Sequence, residues 1–420
     1  MITEQQVTDF MKSFDYDIRK SHNGRWIDQK CTPDVISFIA DCICYFANKK
    51  PDEEFTSQDI WFSDYAVKNT EAVFKKPSPK QNEAKNEYDK FFQQPMKLFA
   101  NAQLMTERKE GVKNIYRINN FEILEYISLS EKNALKFLHR YIEKVLIDSE
   151  MICYFQKFFD YQKNIIVNKD KLKMLYNELR EQFFFFTHRY TLIKGQYEPG
   201  RIFTKVINPL AYFNNAYGTE RGHVSLDLIT YDVLMYNRNN FRDIYANKPK
   251  GITRKAYAEK HHVEINEKYY EYQSSKAKRF LRIFNDQYRN GLTEHLEKNH
   301  LSDKAIHIHH IFPKALYPEI CAYLENLIAL TPTQHYNYAH KNGHTQEINI
   351  EYQHQLLLSK ADRIKENIEE SYSEKIERIY EFPRFLHVLS VGFDEDDVET
   401  IADMDFTSVM NAINVHYAKK

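Results

Sequence analysis

Apolar positions recur at helical spacing along most of the chain and alternate only in short runs. TPDVISFIADCICYFA opens with Thr32 as a cap and Pro33 as a first helical residue, then continues in helical period. FTSQDIWFSDYAV, from residue 55, carries a second start signal. After the polar, proline-bearing KKPSPKQNEAK, a third helix is predicted near 86–102. LMTERKEGVKNIYRIN (104–119) then reads as two short strands around Lys109-Glu110-Gly111. Residues 121–190 are predicted helical, with a Leu/Phe/Tyr seam in which Phe183 to Phe186 is expected to be buried. A helix is also predicted before residue 300, and further helices after 345. The acidic run DEDDVE is read as a solvated face or a helix start.

This pattern predicts a mainly α protein with small β elements (α+β). Three helices followed by a hairpin is the layout of a winged helix-turn-helix, and the hairpin would present Arg108, Lys109, Lys113 and Arg117 to DNA. Residues 197–243 interleave Arg201, Lys205, Arg221, Arg238 and Arg242 with Phe, Tyr and Asn. Such a mixture can contact phosphates and base edges, or can form a loop-rich junction where Arg lies over aromatic surface. KPKGITRKAYAEKHH (248–262) is basic and turn-rich.

Composition narrows the class. With 43% hydrophobic and 15% aromatic residues, the 420-residue chain can bury more than one core. A net charge of −1 excludes a histone-like polycation, so contact with nucleic acid would need local basic patches. The five cysteines form no CxxC pair, which argues against a four-cysteine zinc site. The polar, acidic start MITEQQVTDFMKSFDYD lacks a signal-peptide pattern, and no apolar run reaches a membrane span. These features predict a cytoplasmic protein with reduced thiols.

The chemistry gathers in AIHIHHIFPKALYPEICAYLENLIALTPTQHYNYAH (305–340), which holds five of the chain's 17 histidines. IHIHHIF alternates as a strand does, with His307 and His309 on one face and His310 on the other. NLIAL (326–330) is strand-capable, and TPTQHYNYAH predicts a helix with Thr331 or Thr333 near its cap and His335 in its first turns. The expected order is strand, loop, strand, helix.

His-His-Ile-Phe-Pro, Leu-Glu-Asn-Leu and Leu-Thr-Pro-Thr-Gln-His, in that order, resemble the HNH nuclease motif of the ββα-metal fold. Asn326 and His335 stand nine residues apart, as in that family. The resemblance implies His310 as general base, Asn326 as the residue that orders the loop behind it, and His309 and His335 as ligands of one divalent ion. A His in place of the family's frequent Asp admits Mn²⁺, Ni²⁺ or Co²⁺ beside Mg²⁺. His307 is a candidate for a supporting or DNA contact, His340 for a phosphate contact, and His344 for a direct role beside them. The motif's frequent structural cysteine pairs are missing.

The long stretch before the motif extends the resemblance to type II restriction endonucleases with an HNH domain, including those that cut at a shifted position. It implies a winged-helix-like DNA-binding domain at 1–125, a helical connector at 126–196, a DNA-contacting or linking region at 197–295, and the nuclease domain with a helical extension at 296–420. The implied activity is sequence-specific cleavage of double-stranded DNA to 5′-phosphate and 3′-hydroxyl ends. The implied partners are a second copy at cleavage and a cognate DNA methyltransferase. Two other readings are a modification-dependent or other phage-defence HNH nuclease, and a non-catalytic DNA-binding regulator with a structural zinc.

Overall fold

The computed structural model describes residues 2–420 except 51, 77, 79–80, 82–84, 165–166, 237–248, 250–251, 253–256, 258–259, 261–265, 297–302, 341–348, 373–375 and 420. It is mainly α-helical with small antiparallel hairpins, and it divides into two compact units at 2–238 and 239–420. Among the described residues, no helix is long and apolar enough to cross a membrane, and the cysteines are free.

The first unit opens with α1 (Glu4–Lys12), α2 (Ile18–Ser21), α3 (Pro33–Lys49), α4 (Ser57–Trp61), α5 (Asp64–Phe74) and α6 (Lys85–Asn101). Helix α3 is buried on every side from Pro33 to Cys44, as its apolar sequence demands. Its two buried carboxylates are both satisfied. Asp34 accepts from the Tyr236 N–H at 2.9 Å, and Asp41 accepts from the Tyr65 hydroxyl at 2.7 Å. Helices α3, α4 and α6 pack on one another, and α6 leads into the antiparallel pair β1 (Met105–Glu110) and β2 (Lys113–Ile118). Gly111, at φ +60°, takes the first central position of a two-residue turn, where a positive φ is needed.

The predicted helical stretch then appears as α7 (Phe121–Leu129), α8 (Glu131–Asp148), α9 (Ile152–Gln162) and α10 (Lys169–Tyr190). One expectation fails here. Phe183 and Phe186 are buried, but Phe185 is 59% exposed. Four consecutive helical positions sweep about 300° of the helix surface, so they cannot all face one core. Residues 197–243 also differ from a loop-rich reading. Their described part forms α11 (Glu198–Phe213), with Pro199 in its first turn, and a hairpin of β3 (Tyr217–Glu220) and β4 (His223–Leu228).

The second unit contains α12 (Glu267–Tyr288), the antiparallel pair β5 (His307–His310) and β6 (Leu327–Leu330), α13 (Ile350–Ser371), α14 (Phe382–Phe393) and α15 (Phe406–Ala418). Strand β6 is buried along its whole length, which fits an unbroken apolar run. Helix α12 covers the hairpin, and α13 packs on α15. A Cβ at Gly392 would lie 2.2 Å from the Phe312 ring, so only glycine lets α14 approach the end of β5 this closely. The acidic run is mostly exposed, as a solvated face, and opens no α-helix. Asp394 ends α14 in the left-handed conformation, and a short 3₁₀ turn follows at Asp396–Thr400.

Behind β6 lies a buried ion pair. Glu294 accepts from the Ala329 N–H at 2.7 Å, from Lys360 at 3.4 Å and from the Tyr380 hydroxyl at 3.2 Å. Burial alone would raise the Glu294 pKa, but Lys360 and Arg289 outweigh it and hold the carboxyl low. Burial pulls Lys360 down to about 8 against the attraction of Glu294. Lys360→Met strands the carboxylate and is expected to cost about 3 kcal/mol. Adding Glu294→Gln should recover about half of that loss. Thermal unfolding measures both variants, and equal midpoints for the wild type and the single variant would show that the pair contributes nothing.

Candidate metal centre

Strand alternation sorts the histidines of β5. His307 and His309 share the face toward the segment after β6, and His310 takes the other. The segment after β6 is where the structure departs from the expected helix. Thr331 begins it, accepting the Gln334 N–H on its hydroxyl at 3.1 Å. The fully buried Gln334 side chain binds Thr293 at 2.6 Å and the His295 carbonyl at 2.8 Å. From Gln334 to Ala339 the backbone is a π-helical turn.

That turn brings two histidines together. On an α-helix, positions five apart point about 140° away from each other. The i→i+5 closure of a π turn brings His335 and His340 back to one side. Their rings lie 4.8 Å apart, and His309 reaches them from β5 at 5.3 and 5.0 Å. One ring nitrogen from each of His309, His335 and His340 falls within 4.8 Å of the others. His307 stacks on His335 at 4.7 Å but lies outside this group of donors.

The donor set fits a metal ion. Tetrahedral Zn–N bonds of about 2.0–2.1 Å place neighbouring ligand nitrogens roughly 3.3 Å apart, so a small inward turn of the rings completes the site. His335 Nδ1 is buried and has no hydrogen-bond partner, a cost that coordination removes. His309 and His335 are also in the ligating, neutral form. Burial, followed by the neighbouring imidazoles, lowers His309 well below the ordinary histidine value. Burial and His340 take His335 down to about 4.

His310 stands apart from the triad. Its Nε2 lies 3.0 Å from the Cys321 carbonyl and 3.0 Å from the Ser274 hydroxyl. A carbonyl can only accept, so Nε2 carries the proton and Nδ1 keeps its lone pair. Burial, with Lys278 next, depresses the ring to about 3, so it is neutral near pH 7. Asn326 is fully buried. Its Oδ1 accepts the Phe312 N–H at 2.8 Å, and its Nδ2 donates to the carbonyls of Phe312 and Ile320 at 3.0 and 3.3 Å. It therefore closes the loop whose Cys321 carbonyl meets His310.

The sequence reading gave His340 no ligand role and did not single out the nearby cations. Lys278 on α12 and Lys314 in the loop after β5 are half-buried. Lys278 acts electrostatically on His307, His309, His310 and His335. Among the described residues neither lysine has a hydrogen bond or an ion pair, and no carboxylate enters the local field of His309 or His335. The basic segment KAKRFLRIF was visible in the sequence, but its contact with the histidines is purely tertiary.

The proposed DNA contacts among the described residues belong to the other unit. Arg108 is paired with Glu54 at 2.6 Å and Glu110 at 2.8 Å. Lys109, Lys113 and Arg117 are exposed on the β1–β2 hairpin. Lys113 and Arg117 share the Arg108 face, and Lys109 lies on the other with Tyr116. On α11, Arg201 is exposed and Lys205 half-buried, and Arg221 sits in the β3–β4 turn at φ 51°. Arg238, Arg242, His344 and nearly all of 248–262 lie outside the described residues. Comparison with protein-family models, with curated proteins and with solved structures returned no match.

Proposed function

We propose that the chain is a metal-dependent phosphodiesterase acting on double-stranded DNA, an HNH-type endonuclease of a restriction system. The observation that carries this reading is the charge of the site. Three imidazoles could hold a divalent cation, Lys278 stands nearby with no ion pair among the described residues, and no carboxylate of those residues enters the local field of His309 or His335. Such a site calls for an anionic substrate. The order of His309-His310, Asn326 and His335 supports a nuclease in particular.

His309, His335 and His340 would hold the ion, and imidazole donors favour Zn²⁺, Ni²⁺, Co²⁺ or Mn²⁺ over Mg²⁺. A bound ion supplies Lewis-acid stabilisation of the charge that develops on the leaving oxygen. His310 accepts the proton of the attacking water at Nδ1 while Nε2–H stays on the Cys321 carbonyl. The water oxygen bonds to phosphorus, the P–O3′ bond breaks, and the 3′ oxygen takes up a proton from solvent, to which His310 later returns its own. One centre cuts one strand, so a double-strand break takes two copies or two successive nicks, and a methyltransferase would protect the host's own sites. A structural zinc site would ordinarily use four protein ligands, and the described residues gather three.

The test is incubation of the purified protein with unmethylated plasmid and phage DNA, with each divalent metal or EDTA. Discrete bands that disappear with EDTA are expected. Failure to cut with any metal, together with one tightly held zinc per chain, would favour the non-catalytic regulator.

In this reading the β1–β2 hairpin is the wing of a winged helix that grips DNA backbone. Lys113→Ala with Arg117→Ala removes the two cations that share one face with the already paired Arg108. The slope of log affinity against log salt should become shallower by about 2, at roughly 0.9 per phosphate contact. An unchanged slope would take this hairpin out of the interface.

A further inference from the structure

Helix α12 brings one i, i+4 ridge alongside β5. Arg282 donates to the Ile306 carbonyl at 2.8 Å, next to the start of the strand. Ser274 meets His310 at its end, at 3.0 Å. Lys278 stands between them on the same ridge, one helical turn from each, and so faces the middle of β5 at Ile308, on the side that His310 takes. Its two neighbours on the ridge are engaged with the strand. Lys278 itself has no hydrogen bond or ion pair among the described residues, although it is half-buried.

A half-buried ammonium usually acquires a counterion, because leaving water costs it hydration that only a partner restores. Among the described residues the charged neighbours of Lys278 are Lys314 and Arg282. Burial, with Lys314, pushes its pKa below that of an ordinary lysine. Among the described residues the cation therefore stands uncompensated, beside the His310 end of a site that could hold a second cation.

We infer that Lys278 is a substrate-binding residue whose ammonium contacts a non-bridging oxygen of the phosphate presented to the His309–His335–His340 centre. The inference rests on the metal-dependent reading above and adds a recognition group to it. The phosphate supplies the negative charge that both Lys278 and a bound ion lack. Ser274 and Arg282 are positioning residues, which fix the helix against the strand so that Lys278 stands beside His310, the base that acts on the same phosphate.

The probes are Co²⁺, read by visible absorption, and inorganic phosphate titrated into the Co²⁺-loaded full chain. Wild type should take up one Co²⁺, and phosphate should then perturb the spectrum. Lys278→Met should weaken phosphate by about tenfold, the scale of one charge-assisted hydrogen bond, while Lys278→Arg should stay within about threefold of wild type. Co²⁺ affinity should be unchanged or tighter in Lys278→Met, since a repelling charge is gone. If that variant loses helical structure, Lys278→Gln, which keeps a polar end, serves in its place. Equal phosphate affinity in wild type and variant, or no phosphate response in Co²⁺-loaded wild type, would overturn the role of Lys278 and leave the metal centre standing. Failure of the wild type to take up Co²⁺ would overturn the metal centre and this inference with it.

Discussion

His335→Ala is expected to abolish metal binding at micromolar metal and to lower DNA cleavage by about a thousandfold or more. The reason is the economy of the site. Only three donors converge among the described residues, so losing one leaves two imidazoles, too few to compete with water for a divalent ion. His335 stands at the centre of the ring contacts, touching His307, His309, His340 and Tyr336. Its Nδ1 is also the buried nitrogen that lacks a partner. His340→Ala should match it. His307→Ala should behave differently, because His307 only stacks on His335, and a supporting contact of that kind typically costs 10–100-fold in metal affinity. Calorimetric titration with Zn²⁺ or Co²⁺ separates the three variants. Wild-type affinity in His340→Ala would remove the third ligand and return His340 to an outer role.

What was legible in the sequence was local, and what was missed was either tertiary or unusual in backbone. Alternation alone predicts that His307 and His309 face one way and His310 the other, and the apolar NLIAL is legible as a strand, which the structure buries along its length. His340 could not be placed this way. Helical periodicity turns it away from His335, and nothing in TPTQHYNYAH announces a π turn. Lys278 was hidden for another reason. It precedes His309 by 31 residues, so only the packing of α12 on β5 brings it to the strand. The composition of 197–243, rich in Asn and Arg, obscured a helix whose start signal, Pro199 in the first turn, was present all along. Phe185 shows the opposite error, in which an apolar run was read without its helical phase.

Asn326→Ala is expected to lower the stability of the unit that carries the histidines by about 3 kcal/mol, a fall of about 6–12 °C in melting temperature. The side chain is fully buried and does the work of a missing backbone partner at three points. Alanine would leave the Phe312 N–H and C=O and the Ile320 carbonyl without it, and no water reaches a 0% exposed position to replace it. Asn326→Asp should be worse at neutral pH. One carboxylate oxygen keeps the Phe312 N–H, but the other faces two carbonyls where the amide now donates. Burial and those carbonyls would raise the pKa of this new acid above its unfolded value, so the folded state holds its proton more tightly. Stability should then be higher at acid pH, where the protonated acid can donate, and fall as pH rises through the folded pKa. The same bonds shape the loop that carries the Cys321 carbonyl, which fixes the tautomer of His310. Both variants should therefore lose cleavage even well below their melting temperatures while still taking up Co²⁺, because the triad stands on β5 and the π turn and not on this loop. Loss of cobalt uptake in a folded Asn326→Ala would instead tie the loop to the metal centre itself.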